Sequence, residues 1–379
     1  MSFIETTIKN ARKIEPSTEE HALIEALLDN LENLTYPQIY DEFQIQYTRR
    51  LALAAIFDLL VAATYYGVIR DTNWLYCPNP SDHPLYYYTY TNTCPRCVLK
   101  GEFYFHAAHK PESGTIGAAT RRLLILLMQE LLRRKGHKVE VRAASEPVDA
   151  IFVDYSTTPT MVLFAEVKSA PLLTPSLATR LQQIPIGSDL PHVNLEDHVS
   201  LYQSEIYISV PTWHDDLKEW SGTYFSIGTR ESLNDTYWAF TGIRKLLISD
   251  PKFFQLYIDY WIKSFASYST RNKSDPVFWF TNGCGQPPSG KKLKYWKQRA
   301  NTGIESVSDG KSSVGMDRTD DIKKSVYQAL KLGVEGKRTN DYNYRVGIIS
   351  NIHAVRHFDD YFDAIQDVVW THSDDTKGW

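Results

Sequence analysis

The sequence predicts an α/β protein in which a mixed sheet is flanked by helices, with a helical N-terminal region and a small cysteine-bearing module in front of it. Three observations carry that prediction. A strongly apolar helix pattern, AATRRLLILLMQELLRRK, runs from about Gly117 to Lys135 and stops at Gly136, the residue type that ends helices most readily. Three extended segments follow it closely: HKVEVRA, VDAIFVDYS and TMVLFAEVKSA. Far downstream a second helix, DRTDDIKKSVYQALKLG, leads into a further strand, NYRVGIISNIHAV. A helix that opens onto a short-turned meander is the start of a layered α/β core.

Taken in order, residues 1–70 read as helical, because QIQYTRRLALAAIFDLLVAATYYGVIR is rich in Ala and Leu and has no proline. Residues 71–112 change to Cys, His, Pro and the run Tyr86-Tyr87-Tyr88-Thr89-Tyr90, which suits short strands and turns. Residues 113–170 and 305–379 carry the two parts of the α/β core. The second part begins with acidic residues at its helix start, as the macrodipole favours, and closes on the helix HFDDYFDAIQDVV. Residues 171–304 lie between these stretches. They hold a strand, LYQSEIYISVPTW, an aromatic helix, PKFFQLYIDYWIKSFASY, and a Gly-, Ser-, Pro- and Lys-rich stretch from Asn272 to Gly315 that predicts loops.

A chain of 379 residues has room for two or three domains, and 43% hydrophobic residues supply a sizeable core. Aromatics at 13% offer material for stacking and broad contacts. The net charge of −4 excludes a protein that coats nucleic acid indiscriminately, although a cleft can still concentrate Lys and Arg. The apolar runs Leu51–Tyr66 and Leu123–Leu132 are interrupted or too short for a membrane span, and the first 20 residues lack a signal-peptide core. The expected compartment is the cytoplasm. Of four cysteines, Cys77, Cys94 and Cys97 lie within 21 residues, with Cys284 apart; in that compartment such clustering points to a metal.

The most informative stretch is EPVDAIFVDYSTTPTMVLFAEVKSAPL. Asp149 opens one apolar strand, and Glu166 and Lys168 close the next on one face, since strand side chains alternate with period two. If the strands pair, Asp149 lies beside Glu166, and two convergent carboxylates make a site for a hard divalent cation such as magnesium. Such a cation polarises a phosphodiester, and Lys168 can orient a nucleophile or stabilise charge on the phosphate. The plain alternative is an edge strand with a salt-bridged surface pair. Asp154 is a rival first acid, disfavoured because it ends its strand at a turn.

This pattern, Pro147-Val-Asp149 and then, after 16 residues, Glu166-Val-Lys168, resembles the PD-(D/E)xK nuclease superfamily, which includes most type II restriction endonucleases. One residue separates Pro147 from Asp149, a common departure in that superfamily. The resemblance covers residues 117–170 and 317–352. It implies a restriction-endonuclease-like core, catalysis by Asp149, Glu166 and Lys168 with magnesium on the two acids, Glu130 as an additional acid on the preceding helix, and DNA recognition within 171–304.

A second pattern is Cys77-x5-His83-x10-Cys94-Pro-Arg-Cys97, in which a C-x2-C knuckle and Cys77 supply three zinc ligands. His83 is the expected fourth, with His106 and His109 in competition; four protein ligands make a structural site. A third is basic: Lys291, Lys292, Lys294, Lys297 and Arg299 interleave with Tyr295 and Trp296, a DNA-facing composition or a solvated loop. Lys110 and Ser113, before the core helix, can likewise meet a phosphate or merely open the helix. Asp309, Asp317, Asp320 and Asp321 match no calcium loop, and Asp317 or Thr319 reads as a helix cap.

Together these readings predict a magnesium-dependent type II restriction endonuclease acting on double-stranded DNA, a homodimer because symmetric cutting of a palindrome takes two copies, with a cognate DNA methyltransferase as genetic partner. The competing readings are a structure-specific repair or recombination nuclease and a non-catalytic zinc-containing DNA-binding protein.

Overall fold

The computed structural model describes residues 3–69, 74–77, 85–89, 93–105, 113–144, 148–179, 204–230, 232, 234–285, 288, 290–292, 314–335 and 342–362. In chain order the elements begin with α1 (Phe3–Asn10), β1 (Arg12–Lys13), α2 (Thr18–Glu32), α3 (Glu42–Gly67), β2 (Leu75–Tyr76), β3 (Leu85–Tyr87), α4 (Pro95–Val98) and β4 (Tyr104–Phe105). They continue with α5 (Ser113–Arg134), β5 (Val139–Ala143), β6 (Ala150–Asp154), β7 (Thr160–Lys168), β8 (Ser176–Thr179), β9 (Ile206–His214) and β10 (Glu219–Gly228). The last are α6 (Trp238–Ser249), α7 (Pro251–Ser269), a 3-10 helix at Pro276–Phe280, β11 (Lys291–Lys292), α8 (Thr319–Glu335), β12 (Tyr342–Ser350) and α9 (Phe358–Tyr361).

By contact the chain divides into two compact units where the sequence suggests four regions. One unit comprises Met1–Pro16, Ser113–Ala170 and Ser313–Trp379; the other comprises Ser17–Glu112 and Pro171–Ser312. Strand pairing explains the difference. Residues 1–16 join the first unit because β1 pairs antiparallel with β5, and the cysteine-bearing region joins the second because β3 pairs antiparallel with β8.

The first unit is a mixed five-stranded sheet in the order β1-β5-β6-β7-β12, flanked by helices. β5, β6 and β7 form the expected antiparallel meander, whereas β12 runs parallel to β7 and so closes the sheet after the long excursion. α5 begins four residues earlier than its sequence pattern and ends as expected: Gly136, at φ +88°, lets its N–H reach the Arg133 carbonyl at 2.9 Å and the His137 N–H reach the Leu132 carbonyl at 3.1 Å. Ile151, Val153, Val162, Phe164 and Tyr344 form one apolar sheet face, packed with Leu332 of α8 and Ala11 beyond α1. Fully burying each of the Val, Ile, Leu and Phe side chains contributes about 1.5–3 kcal/mol.

Asp317 lies two residues before α8. It is buried, and its carboxylate accepts from the Arg356 guanidinium and, at 2.9 Å, from the Arg356 backbone N–H.

The second unit is an all-antiparallel sheet in the order β10-β9-β8-β3-β2, with α2, α3, α6 and α7 packed together and against it. β10 and α6 lie where the sequence pattern signalled no element. The expectation that no apolar run is long enough to span a membrane is corrected by α3, which holds an 18-residue window of mean hydropathy 1.3; 72% of that window is buried in the fold. At its centre Asp58 is fully buried, and one carboxylate oxygen accepts from the N–H groups of Leu172 and Leu173 and from the Trp261 indole at 2.7 Å. Burial pushes this carboxyl well above the usual range, against those three hydrogen bonds.

Candidate functional site

The apolar face of β7 changes character along its length. Val162 and Phe164 belong to the core, and the next two residues on that face, Glu166 and Lys168, are polar. β6 runs antiparallel beside it with Ala150 opposite Ala165, so one further step of the same register brings Asp149 to Glu166. On its other side β7 pairs with β12, Ile348 opposite Glu166 and Ser350 opposite Lys168. β7 is therefore an interior strand, which removes the edge-strand alternative.

Three groups hold the acids. Lys168 Nζ donates to Glu166 Oε1 at 2.6 Å. Asp149 accepts from the Val167 backbone N–H at 2.9 Å through one oxygen and from the Arg121 guanidinium through the other. Glu166 is 7% exposed. Burial, first, and the adjoining Asp149 carboxylate raise its carboxyl above the usual range, against the pull of Lys168. The two carboxylates repel each other, each is paired with one cation, and both offer hard oxygen donors.

Arg121 escaped the sequence reading. Its signal was present: Arg121 and Arg122 interrupt the apolar pattern early in α5. Thr120 ties that turn to the strand end, its hydroxyl donating to the Ser169 carbonyl at 2.8 Å. Asn351, just after β12, brackets Ala170 with two hydrogen bonds, and the Gly315 N–H donates to the same Ala170 carbonyl at 3.0 Å. Gly315 is at φ +51°, and an added Cβ would collide with the Ile352 backbone, so only glycine fits there.

Two other acids lie elsewhere. Asp154 is at the far end of β6 from Asp149, five residues or about 16 Å along an extended strand. Burial opposes its ionisation, but hydrogen bonds from Ser156 and His137 hold it below the usual range. Glu130 is nine residues beyond Arg121 on α5, about 13.5 Å along the axis, and pairs with Arg133 and Arg134 of its own helix. Its expected place among the acids of the site is therefore corrected.

The cysteine prediction is met for three ligands. Cys77, Cys94 and Cys97 are buried thiols grouped closely enough to hold one metal ion such as zinc. The Sγ atom of Cys77 is 3.6 Å from that of Cys94 and 3.8 Å from that of Cys97. Tetrahedral zinc with sulfur bonds of about 2.3 Å places its ligands roughly 3.8 Å apart, whereas a disulfide needs about 2.05 Å. Cys94 caps α4 with Pro95 in the first helical position, and the Glu102 N–H returns to the Cys97 carbonyl at 3.0 Å, which folds the knuckle over the pair. Burial raises the Cys94 thiol, and the hydrogen bond with Cys77 is the main cause that pushes Cys97 up to about 12.

His83, His106 and His109 lie outside the described residues, as do Pro147, Lys110, Lys294, Lys297, Arg299 and Asp309. Ser113 opens α5, and Lys291 and Lys292 form β11, paired parallel with β4 at Tyr104 and Phe105.

Comparison with protein-family models, with curated proteins and with solved structures returned no match.

Proposed function

We propose that the chain is a metal-dependent DNA endonuclease of the restriction type, a divergent member of the PD-(D/E)xK superfamily. The observation that supports this reading most is the register at the end of β7, where an interior strand delivers Glu166 and Lys168 beside the Asp149 carboxylate. Drawing two acids and a lysine together at the end of apolar strands costs desolvation, and clustered charges of this kind mark a candidate functional site.

Asp149 and Glu166 would hold a magnesium ion, which when bound would supply Lewis-acid polarisation of the phosphodiester and activation of water. The chain's own residues do the rest. Glu166 must be ionised to act, so its raised carboxyl makes cation affinity climb with pH above the ordinary glutamate range. Lys168 stays within reach of Glu166 and stabilises charge on the scissile phosphate. Arg121 orients Asp149 and offers a second cation to the backbone of double-stranded DNA. The cysteine cluster, completed by one of the three histidines, is structural, because four protein ligands leave no open position. The working form is a cytoplasmic homodimer, with a cognate DNA methyltransferase as genetic partner that protects the host's own sites.

The direct test incubates purified protein with magnesium and phage DNA. Discrete fragments support the reading; intact DNA across divalent metals and pH values refutes it.

A further inference from the structure

The sheet of the second unit has two unlike faces. Ile206, Ile208 and Val210 on β9, with Phe225 and Ile227 on β10, are buried, and α6 and α7 pack on these strands. The alternate residues turn the other way. Tyr207, Ser209, Pro211 and Trp213 on β9 stand opposite Ser226, Tyr224, Gly222 and Trp220 on β10. Apart from Ser226, this second face lines a groove of about 1410 Å³, together with Arg96 and Lys100 of the cysteine knuckle and the segment around Asp275.

The lining alternates π faces with cations. Trp213 and Trp220 meet edge to face with centroids 5.6 Å apart, and Lys263 Nζ sits 5.3 Å from the centroid of the Trp220 ring. Tyr224 is held by a 2.7 Å hydrogen bond between its hydroxyl and that of Tyr86, yet stays 37% exposed. Arg96, Lys100, Lys218 and Lys263 line the groove with Glu219 and Asp275, and Asp215 beside it pairs with Lys218 at 3.9 Å and accepts from the Trp213 indole at 3.0 Å, so four positive charges stand against three negative in a chain whose net charge is −4. The groove is larger than the roughly 300–1,000 Å³ of small-molecule pockets, so a polymer suits it better. A duplex presents phosphates but keeps its bases stacked on one another; an unpaired strand presents both phosphates and free base faces.

We propose that this groove binds an unstacked stretch of a DNA strand, with phosphates on Arg96, Lys100 and Lys218 and bases against Trp213 and Tyr224. The choice of DNA over other nucleic acids rests on the nuclease reading of the first unit. The knuckle carries Arg96 and Lys100 to the groove, so the cysteine cluster fixes two of the phosphate contacts.

The test uses the full chain with calcium and a fluorescein-labelled oligothymidine of about 12 nucleotides, within the ~4–16 that such sites take, beside a duplex of equal length. Fluorescence anisotropy is read across a salt series. The single strand is expected to bind more tightly than the duplex. Lys100→Gln and Lys218→Gln, both at exposed positions, should each reduce the slope of log affinity against log salt by about 0.7. Trp213→Leu should weaken binding by about five- to hundredfold at every salt concentration, the loss expected for one stacked base. Preference for the duplex, wild-type slopes in both lysine variants, or displacement of the strand by an acidic peptide at equal concentration overturns the proposal. Cleavage of phage DNA is scored separately. A chain that cuts while its groove variants bind like wild type refutes the groove alone. One that binds the strand through the groove and never cuts refutes the nuclease reading alone.

Discussion

Removing Arg121 gives the sharpest test of whether the two acids form a cation seat. In the structure its guanidinium occupies one oxygen of Asp149, and Lys168 occupies Glu166, so the four charges cancel. Two unit charges about 4 Å apart interact by roughly 4 kcal/mol at an effective dielectric of 20. The Arg121 side chain is 40% exposed and that of Asp149 19%, so solvent screens the pair and its net worth falls to about 1.5 kcal/mol. A divalent cation entering the site competes with this partner for the Asp149 carboxylate. Arg121→Ala should therefore tighten calcium binding about tenfold, the ratio that ~1.4 kcal/mol represents, while slowing cleavage because a phosphate contact is lost. Isothermal titration at pH 8, far above the ordinary glutamate range, measures the affinity. At low pH the benefit should shrink, because without the guanidinium the Asp149 charge raises Glu166 further. Unchanged or weaker calcium binding by the variant at pH 8, with Asp149→Asn equally unaffected, would refute the assignment of these carboxylates to a metal.

Lys168→Ala should reduce cleavage at least about 100-fold, in line with loss of one charge-stabilising group, and leave DNA affinity nearly unchanged; robust cutting would take this lysine out of the mechanism. Asp149→Asn should abolish cleavage and, by relieving repulsion, bind DNA better than wild type without divalent metal. Asp154→Asn should keep full activity and lose stability, because its hydrogen-bonded carboxylate stabilises the fold above the ordinary aspartate range and that contribution fades as pH falls through its lowered value; the reverse pattern of activities would exchange their roles. Elemental analysis of untagged, reduced protein should find about one zinc per chain, with protons released on reloading because the raised thiols must ionise; absence of zinc sinks the site. Asp58→Ala should destabilise the fold by about 3–5 kcal/mol in urea, since two backbone N–H groups and an indole lose their acceptor in a dry core; a change below ~1 kcal/mol contradicts that account.

The part of the site that could be read from residues alone is the part made by neighbours in sequence. β5, β6 and β7 follow one another with short turns and pair as adjacent antiparallel strands, so the connection between β6 and β7 brings Asp149 beside Glu166 with little need of the rest of the chain. The C-x2-C knuckle is legible for the same reason, since four consecutive residues determine its geometry. Arg121 was not legible, because which side of α5 meets the strand end depends on how the helix is rotated onto the sheet. β10 reads poorly because Trp220, Ser221, Gly222 and Thr223 mix polar and aromatic residues on a strand with one open face.

What the sequence by itself determined is therefore local: an α/β core with its helix and meander, two acids and a lysine at one strand end, and three cysteines spaced for one metal. The tertiary structure alone decided that β12 returns to cover β7, turning a possible surface pair into an interior site. It also decided that β3 and β8 pair far apart in sequence, setting the knuckle beside the aromatic strand face. The physical reason is that short turns leave few alternatives for adjacent segments, whereas non-local strand pairs are chosen by the burial of whole sheet faces, a property no single stretch of residues contains.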